Sequence, residues 1–412
     1  MEVTLYWIIL VFLVVEFAFE RWLEGLNRRA MSPRLPDALR GIYDEAEYAR
    51  FLAYKRDGGR LDAWSSGVTF AVTLVFLAAG GFGWFDGVVG AAVAHPVWRA
   101  VVFVVALAVV STLVELPFDY LATFRVEERH GFNRSTRATF WADAVKGLLL
   151  TVVLGGALMA VVTWIYTLVG PSFWWMAWVV LTVFGLLMSM FYSNLIVPLF
   201  NKQRPLPEGT LRRRLEDFAR GVGFRVRDIY VIDGSRRSTK ANAYFTGLGP
   251  RKRVVLYDTL LDELTEDEVV AVLAHEIGHY RLHHAVKGMV VSFLHAGVML
   301  WLFSLCVGRP ELSLALGGRE ATFELGMMAF MLLYGPVEAV LGVAMNAWSR
   351  RHELEADAFA AVRLDGEWLV SGLKKLAVKS LSNLTPHPWY EFVNYSHPSL
   401  LRRVEAIRNI KK

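Results

Sequence analysis

Two histidines four residues apart enclose a glutamate in His275-Glu276-Ile277-Gly278-His279. On a helix this spacing sets both imidazoles one turn apart on one face, where their nitrogens can share a tetrahedral zinc ion. Glu276 then lies beside the ion as a general base for a water molecule. The stretch reads as helical, because Thr265-Glu266-Asp267-Glu268 is an acidic, cap-like start just upstream. Such a site needs a third protein ligand. A metzincin would carry Gly at 282 and His at 285, but Leu282 and Ala285 stand there, which excludes that class. The one cysteine, Cys306, excludes an intramolecular disulfide and a Cys-rich metal site, so the ligands must be His and carboxylates.

The elements that position these residues are mostly membrane helices. Of 412 residues, 55% are hydrophobic and only 20% charged, with 14 Trp, and the mean hydropathy is +0.37. That composition excludes an ordinary soluble enzyme and predicts a mainly α, polytopic membrane protein. Seven segments are apolar enough to cross roughly 30 Å of hydrocarbon, over about 4–20, 63–85, 98–120, 144–168, 173–198, 285–307 and 322–348. The first is followed by Glu20, Arg21 and Trp22 without a small-residue cleavage pattern, so it reads as a retained span. Loops 21–62, 121–143 and the region from Lys202 are rich in Lys and Arg, whereas 86–97 and 170–172 hold none. The net charge of +5 is thus a topology signal and not a nucleic-acid footprint. It predicts an N-terminus outside and a C-terminus in the cytoplasm.

The polar insertion 199–284 reads as a small α+β, zincin-like metalloprotease core on the cytoplasmic side. An amphipathic helix is expected over 211–221 and strands over 226–233, 241–247 and 253–257, with turns at Asp233-Gly234 and Gly249-Pro250. The chain then divides into an N-terminal membrane part (1–198), this core (199–284), two further spans (285–348) and a C-terminal cytoplasmic part (349–412) that completes the site.

Arg281, His283, His284 and Lys287 follow the histidine pair at once, which puts the metal near the membrane interface and not in mid-span. The third ligand is then a carboxylate on another helix. Two spans separate His279 from the run Arg350-Arg351-His352-Glu353-Leu354-Glu355-Ala356-Asp357, and an even number of crossings returns it to the same face. Glu353 and Asp357 share one helical face, and Glu355 points elsewhere. Glu353 suits the metal, and Asp357 suits a hydrogen bond that fixes the tautomer of a ligating histidine. Taken alone, the run also fits an ordinary charged helix of Arg–Glu pairs.

At this point the chain resembles the zinc-dependent, integral-membrane CAAX prenyl proteases, a gluzincin family with seven membrane helices. The resemblance rests on Glu115-Leu116-Pro117-Phe118-Asp119-Tyr120, the stretch from Thr123 to Asn133, Lys240-Ala241-Asn242-Ala243-Tyr244, Val255-Leu256-Tyr257-Asp258, the two motifs above, and Ser396-His397-Pro398-Ser399 through Arg403. It implies one zinc ion held by His275, His279 and Glu353, with Glu276 as general base and proton carrier. It implies that the strand at Asn242, Ala243 and Tyr244 is an edge to which an extended substrate adds, although these residues alone also fit a turn with a packed aromatic. It further implies that His397 and Arg403 reach the site and stabilise an oxyanion. Unaided, His397-Pro398 reads as a loop before a helix and Arg403 as a surface residue.

The family encloses a water-filled chamber between its helices. Glu16, Glu115, Asp119, His295 and Glu338 lie in or at the ends of spans and suit either its lining or hydrogen bonds between helices. The expected function is an integral-membrane zinc endopeptidase. It would remove the C-terminal tripeptide after a prenylated cysteine, cleave membrane proteins for quality control, or both. A non-catalytic scaffold or holdase would keep the fold but lose a ligand or Glu276, and all are present. A transporter would need an inverted repeat, and none is found. Expected partners are a peptide or protein substrate, prenylated or not, and membrane lipid, with no nucleic acid. The Ala/Val/Arg-rich composition points to a bacterial inner membrane, with the endoplasmic reticulum as the alternative.

Overall fold

The computed structural model describes residues 1–37, 41–224, 228–246 and 253–410. Long helices dominate the first half: α1 (Glu2–Ala30), α2 (Glu45–Ala78), α3 (Gly81–Ala92), α4 (Pro96–Leu121), α5 (Arg137–Leu150), α6 (Gly156–Val169) and α7 (Phe173–Leu195). Among the described residues six helical stretches are long and apolar enough to cross a membrane. One of them, Arg137–Phe200, is 64 residues long, roughly three bilayer thicknesses of helix. Gly170, at φ 58°, breaks it between α6 and α7. The two packed halves raise the number of crossing helices to the expected seven.

The expected boundaries shift where polar residues extend a helix. The basic stretch 21–62 is largely helical, because α1 runs on to Ala30 and α2 starts at a capping box. There Asp44 Oδ1 accepts the Glu47 N–H at 2.7 Å and Glu47 Oε2 accepts the Asp44 N–H at 3.1 Å. The apolar window 63–85 straddles a break, since α2 ends before Gly80 turns left-handed at φ 68°. Hydropathy senses membrane depth and not chain direction, so it misses both features.

The membrane helices surround a hollow. In four of the six stretches only 6% of the most apolar window is buried. A helix in a solid bundle buries one face, whereas these windows hold almost no fully buried residue. Glu115 is exposed and, among the described residues, hydrogen-bonds to Ser111 of its own helix at 3.4 Å. His295 instead bonds between helices, to Tyr334 Oη at 3.0 Å and Glu338 at 3.3 Å. The N-terminal half of α1 packs beside Leu312 and Leu316. Its far end meets the C-terminal part, with Tyr390 donating to Glu24 at 3.1 Å and Asn383 to Asn27 at 3.2 Å.

After the short helix α8 (Val197–Phe200) comes the polar core: β1 (Gln203–Pro205), α9 (Thr210–Gly221), β2 (Asp228–Ile232), β3 (Ala243–Thr246), β4 (Arg253–Tyr257), α10 (Asp258–Glu263) and α11 (Glu266–Arg281). Residues 226 and 227, Gly247 and the turn at Gly249-Pro250 lie outside the described residues. The sheet order is β1-β2-β4-β3, with β2 and β4 parallel and the other pairs antiparallel. That order leaves β3 at one edge. The three-residue β1, ending in a proline, carries too little pattern to be read from sequence. Alternate residues Ile229, Val231, Val254 and Leu256 pack on Val269, Val270, Leu273 and Ile277 of α11, which joins sheet and helix in one core.

The start of α11 is a reciprocal cap at Thr265 and Glu268. Glu268 is buried and also accepts from Ser371 at 2.6 Å and Lys375 at 2.8 Å. Burial raises its pKa, but the Lys375, Ser371 and Thr265 contacts outweigh it and leave the carboxyl below 4.5. A depressed folded pKa stabilises above the unfolded value and is lost as pH falls through the folded one. Glu268→Ala is expected to cost about 2 kcal/mol at pH 7. In detergent unfolding curves, the gap from wild type should shrink below pH 4.5.

The remaining helices are α12 (His284–Cys306), α13 (Pro310–Ala315), α14 (Phe323–Arg363), α15 (Gly366–Lys379), α16 (Pro388–Asn394) and α17 (Leu400–Arg408). The seventh crossing and the carboxylate run are one unbroken helix of 41 residues, α14. It meets α11 at Gly278, where a Cβ would come within 3.2 Å of Ala356 Cα and of Phe359 Cβ. Glycine there permits the close approach. α17 packs through Leu400, Val404 and Ile407 into a cluster with Ala271, Ala274 and Ala360, which brings Arg403 to the same junction.

Candidate metal centre

At this junction His275 Nε2 and His279 Nε2 are 3.1 Å apart. Glu353 offers Oε2 at 3.5 Å from the first and Oε1 at 3.2 Å from the second. Ligands around a tetrahedral zinc with bonds of roughly 2.0–2.1 Å are separated by about 3.3 Å. The three donors therefore lie at the mutual spacing such an ion requires, and their types suit it.

The outer nitrogens are fixed by partners. His275 Nδ1 lies 2.8 Å from Asp357 Oδ1. Arg403 grips that carboxylate with both arms, Nη2 to Oδ1 at 2.6 Å and Nε to Oδ2 at 2.8 Å. Burial would lower the basicity of His275, but hydrogen bonds to Asp357 and Glu353 outweigh it and hold the imidazole up to about 9. The cluster thus favours positive charge at its centre. The same pair with Asp357 keeps the buried Arg403 guanidinium charged, against the effect of burial. His397 Nε2 is 3.3 Å from Glu353 Oε1, and burial pushes its pKa down.

Glu276 lies on α11 beside the two histidines and lines a cavity of about 540 Å³ with His279, Ala243 and Tyr244. Burial, followed by the repulsion of Glu353, pushes its pKa up against the pull of His275, His279 and Arg403. Among the described residues its neighbour β3 pairs only with β4. The Tyr257 N–H donates to the Asn242 carbonyl at 3.0 Å, so alternation turns the main chain of Ala243 away from β4. Asn242 does not line the cavity; its Oδ1 accepts the Ala243 N–H at 2.9 Å.

His275, His279, Glu353, Asp357, His397 and Arg403 thus gather at one place, with Glu276, Ala243 and Tyr244 on the adjoining cavity and Asn242 outside it, and others join them unannounced. His284 Nδ1 stands 3.1 Å from His279 Nδ1, and its Nε2 stands 3.1 Å from Glu355. His279 is backed by a His–Glu relay as His275 is backed by Asp357. No helical spacing signals this, because His283 adopts φ 59° between α11 and α12 and swings His284 back. His284, His352 and Glu355 also lie close enough to suggest a second metal. The two rings stack at 3.9 Å with planes 6° apart, so no ion can lie in the plane of both.

Comparison with known proteins agrees with this architecture. Residues 27–202 match the sequence model of the CAAX prenyl protease N-terminal domain with five membrane helices, and residues 205–411 match Peptidase family M48. The chain is 32% identical over 410 residues to CAAX prenyl protease 1 homolog of Oryza sativa, covering 97% of this chain and 96% of that one. It is 30% identical to the homolog of Homo sapiens, covering 98% and 95%. This chain belongs to the CAAX prenyl protease family.

The crystal structure of S. mikatae Ste24p superposes with a TM-score of 0.92 at 33% identity, over 98% of this chain and 99% of that one. Membership makes this chain a multi-pass membrane metalloprotease. The family was legible in the motifs of His275 and Glu353, and the expected fold class holds over the full length.

Proposed function

We propose that this chain is a zinc metalloendopeptidase that removes the C-terminal tripeptide following a prenylated cysteine. The observation that carries it is the three-donor cluster of His275, His279 and Glu353 beside Glu276 and a free strand edge. The names of the relatives support the substrate class. In this reading the four parts 1–198, 199–284, 285–348 and 349–412 serve as membrane wall, catalytic core, paired spans and closing segment.

Zinc, when bound by His275, His279 and Glu353, supplies Lewis-acid polarisation of the scissile carbonyl and of water. The substrate lies along β3 with its main chain on the edge at Ala243, and Tyr244 and Asn242 flank it. Glu276, made more basic by burial, takes a proton from the attacking water and passes it to the leaving amine nitrogen. The carbonyl carbon gains the water oxygen and loses the amine. His397 and Arg403 stabilise the negative charge that develops on the carbonyl oxygen. Asp357 holds His275 in one tautomer, and Arg403 holds Asp357 in turn. The basic loops favour a cytoplasmic active site with the N-terminus outside, in a bacterial inner membrane or, alternatively, the endoplasmic reticulum.

The test is cleavage of a fluorogenic farnesylated CAAX peptide by detergent-purified protein, beside its unprenylated counterpart. Cleavage confined to the prenylated peptide is the expected result. Equal cleavage of both would replace the reading with general membrane proteolysis. Zinc-loaded protein that cleaves neither would overturn it.

A further inference from the structure

A second cavity, of about 400 Å³, shares no lining residue with the one lined by Glu276. His397 and Arg403 form part of its wall, and Ala241, Leu376 and Leu400 make it largely apolar. Its volume lies within the usual range of small-molecule sites, roughly 300–1,000 Å³. Lys55, from α2, lines it as well.

Two cations lie off the N-terminal end of β3, and they differ in one respect. Lys240 donates to Glu127 at 2.9 Å and to Tyr54 at 3.0 Å, so its charge is already neutralised. Lys55 has no carboxylate within 4.0 Å and no hydrogen bond among the described residues; its ammonium sits 5.4 Å from the Tyr54 ring. Glu24, Asp62 and Glu127 act on it only at longer range, and Glu24 and Glu127 have partners of their own. A half-buried ammonium facing an apolar cavity without a counter-ion is costly unless an anion arrives there.

The direction of the substrate says which anion. Strands pair antiparallel more often than parallel, and a peptide added antiparallel to β3 runs its C-terminus past Ala243 towards Ala241. Its residues on the leaving side then enter this cavity. We propose that the cavity receives the leaving tripeptide and that Lys55 binds its free α-carboxylate, so that the enzyme measures three residues from the chain end. This rests on the tripeptide-removing reading above. Aliphatic side chains meet the apolar wall, and a charge-assisted hydrogen bond to Lys55 replaces the missing counter-ion.

The test uses two farnesylated peptides that differ only in a free-acid or an amidated C-terminus, with wild type, Lys55→Gln and Lys55→Arg. Zinc content and melting temperature check that each variant is folded. Wild type is expected to favour the acid by roughly 10-fold to 100-fold in kcat/KM, mostly through KM. Lys55→Gln brings the ratio to about one, and Lys55→Arg restores most of it. A preference that survives in Lys55→Gln overturns the assignment to Lys55 and leaves tripeptide removal standing. A wild type indifferent to amidation overturns carboxylate recognition, while proteolysis stands. A wild type that cleaves neither peptide overturns the proposed function and this inference together.

Discussion

Glu276→Gln is expected to lower kcat by about 10²-fold to 10⁴-fold, the usual contribution of a positioned general base, while zinc remains at one per chain. The glutamine keeps the shape of the side chain and loses only the ability to take a proton. Glu276 lines the cavity beside His279, and no hydrogen bond ties its carboxylate to another described side chain, so the fold does not depend on its charge. The measurement is single-turnover cleavage of the farnesylated peptide together with metal analysis. An unchanged rate would remove Glu276 from the proposed chemistry. A loss of zinc alongside the rate would mean that it serves the metal site instead.

Glu353→Ala is expected to take zinc well below one per chain and to abolish cleavage with it. This carboxylate supplies one of three donors set 3.1–3.5 Å apart, and among the described residues no other carboxylate joins the two histidines in a three-donor group. Asp357 is already shared between His275 and Arg403. The decisive readout does not need turnover. A ligand that binds only the folded state stabilises by about 2.7 kcal/mol at one hundred times its dissociation constant, so chelation should lower the melting temperature of wild type. The variant's melting temperature should ignore the chelator. Wild type and variant responding alike would show that the cluster is not the metal site.

Local spacing carried much of this outcome. His275 and His279 fall on one face because a helix repeats every 3.6 residues, and the same rule aligned Glu353 with Asp357 and turned Glu355 away. The parity of the crossings placed both pairs on one side of the membrane. Each of these readings needs only a period or a count, which a linear chain displays openly.

Other features depend on where distant segments meet. The positive φ at His283 turns His284 back onto His279, and Gly278 lets α11 lie against Ala356 of α14. Lys55 shares a cavity wall with Arg403 only because packing brings α2 and α17 to one cavity. A single backbone dihedral and the packing of separate helices leave no periodic trace. The sequence by itself therefore determined the family, the seven crossings and the candidate metal donors. Only the tertiary structure decided which outer partners meet those residues and which cation lines the second cavity, because contacts between distant segments arise from packing and not from spacing along the chain.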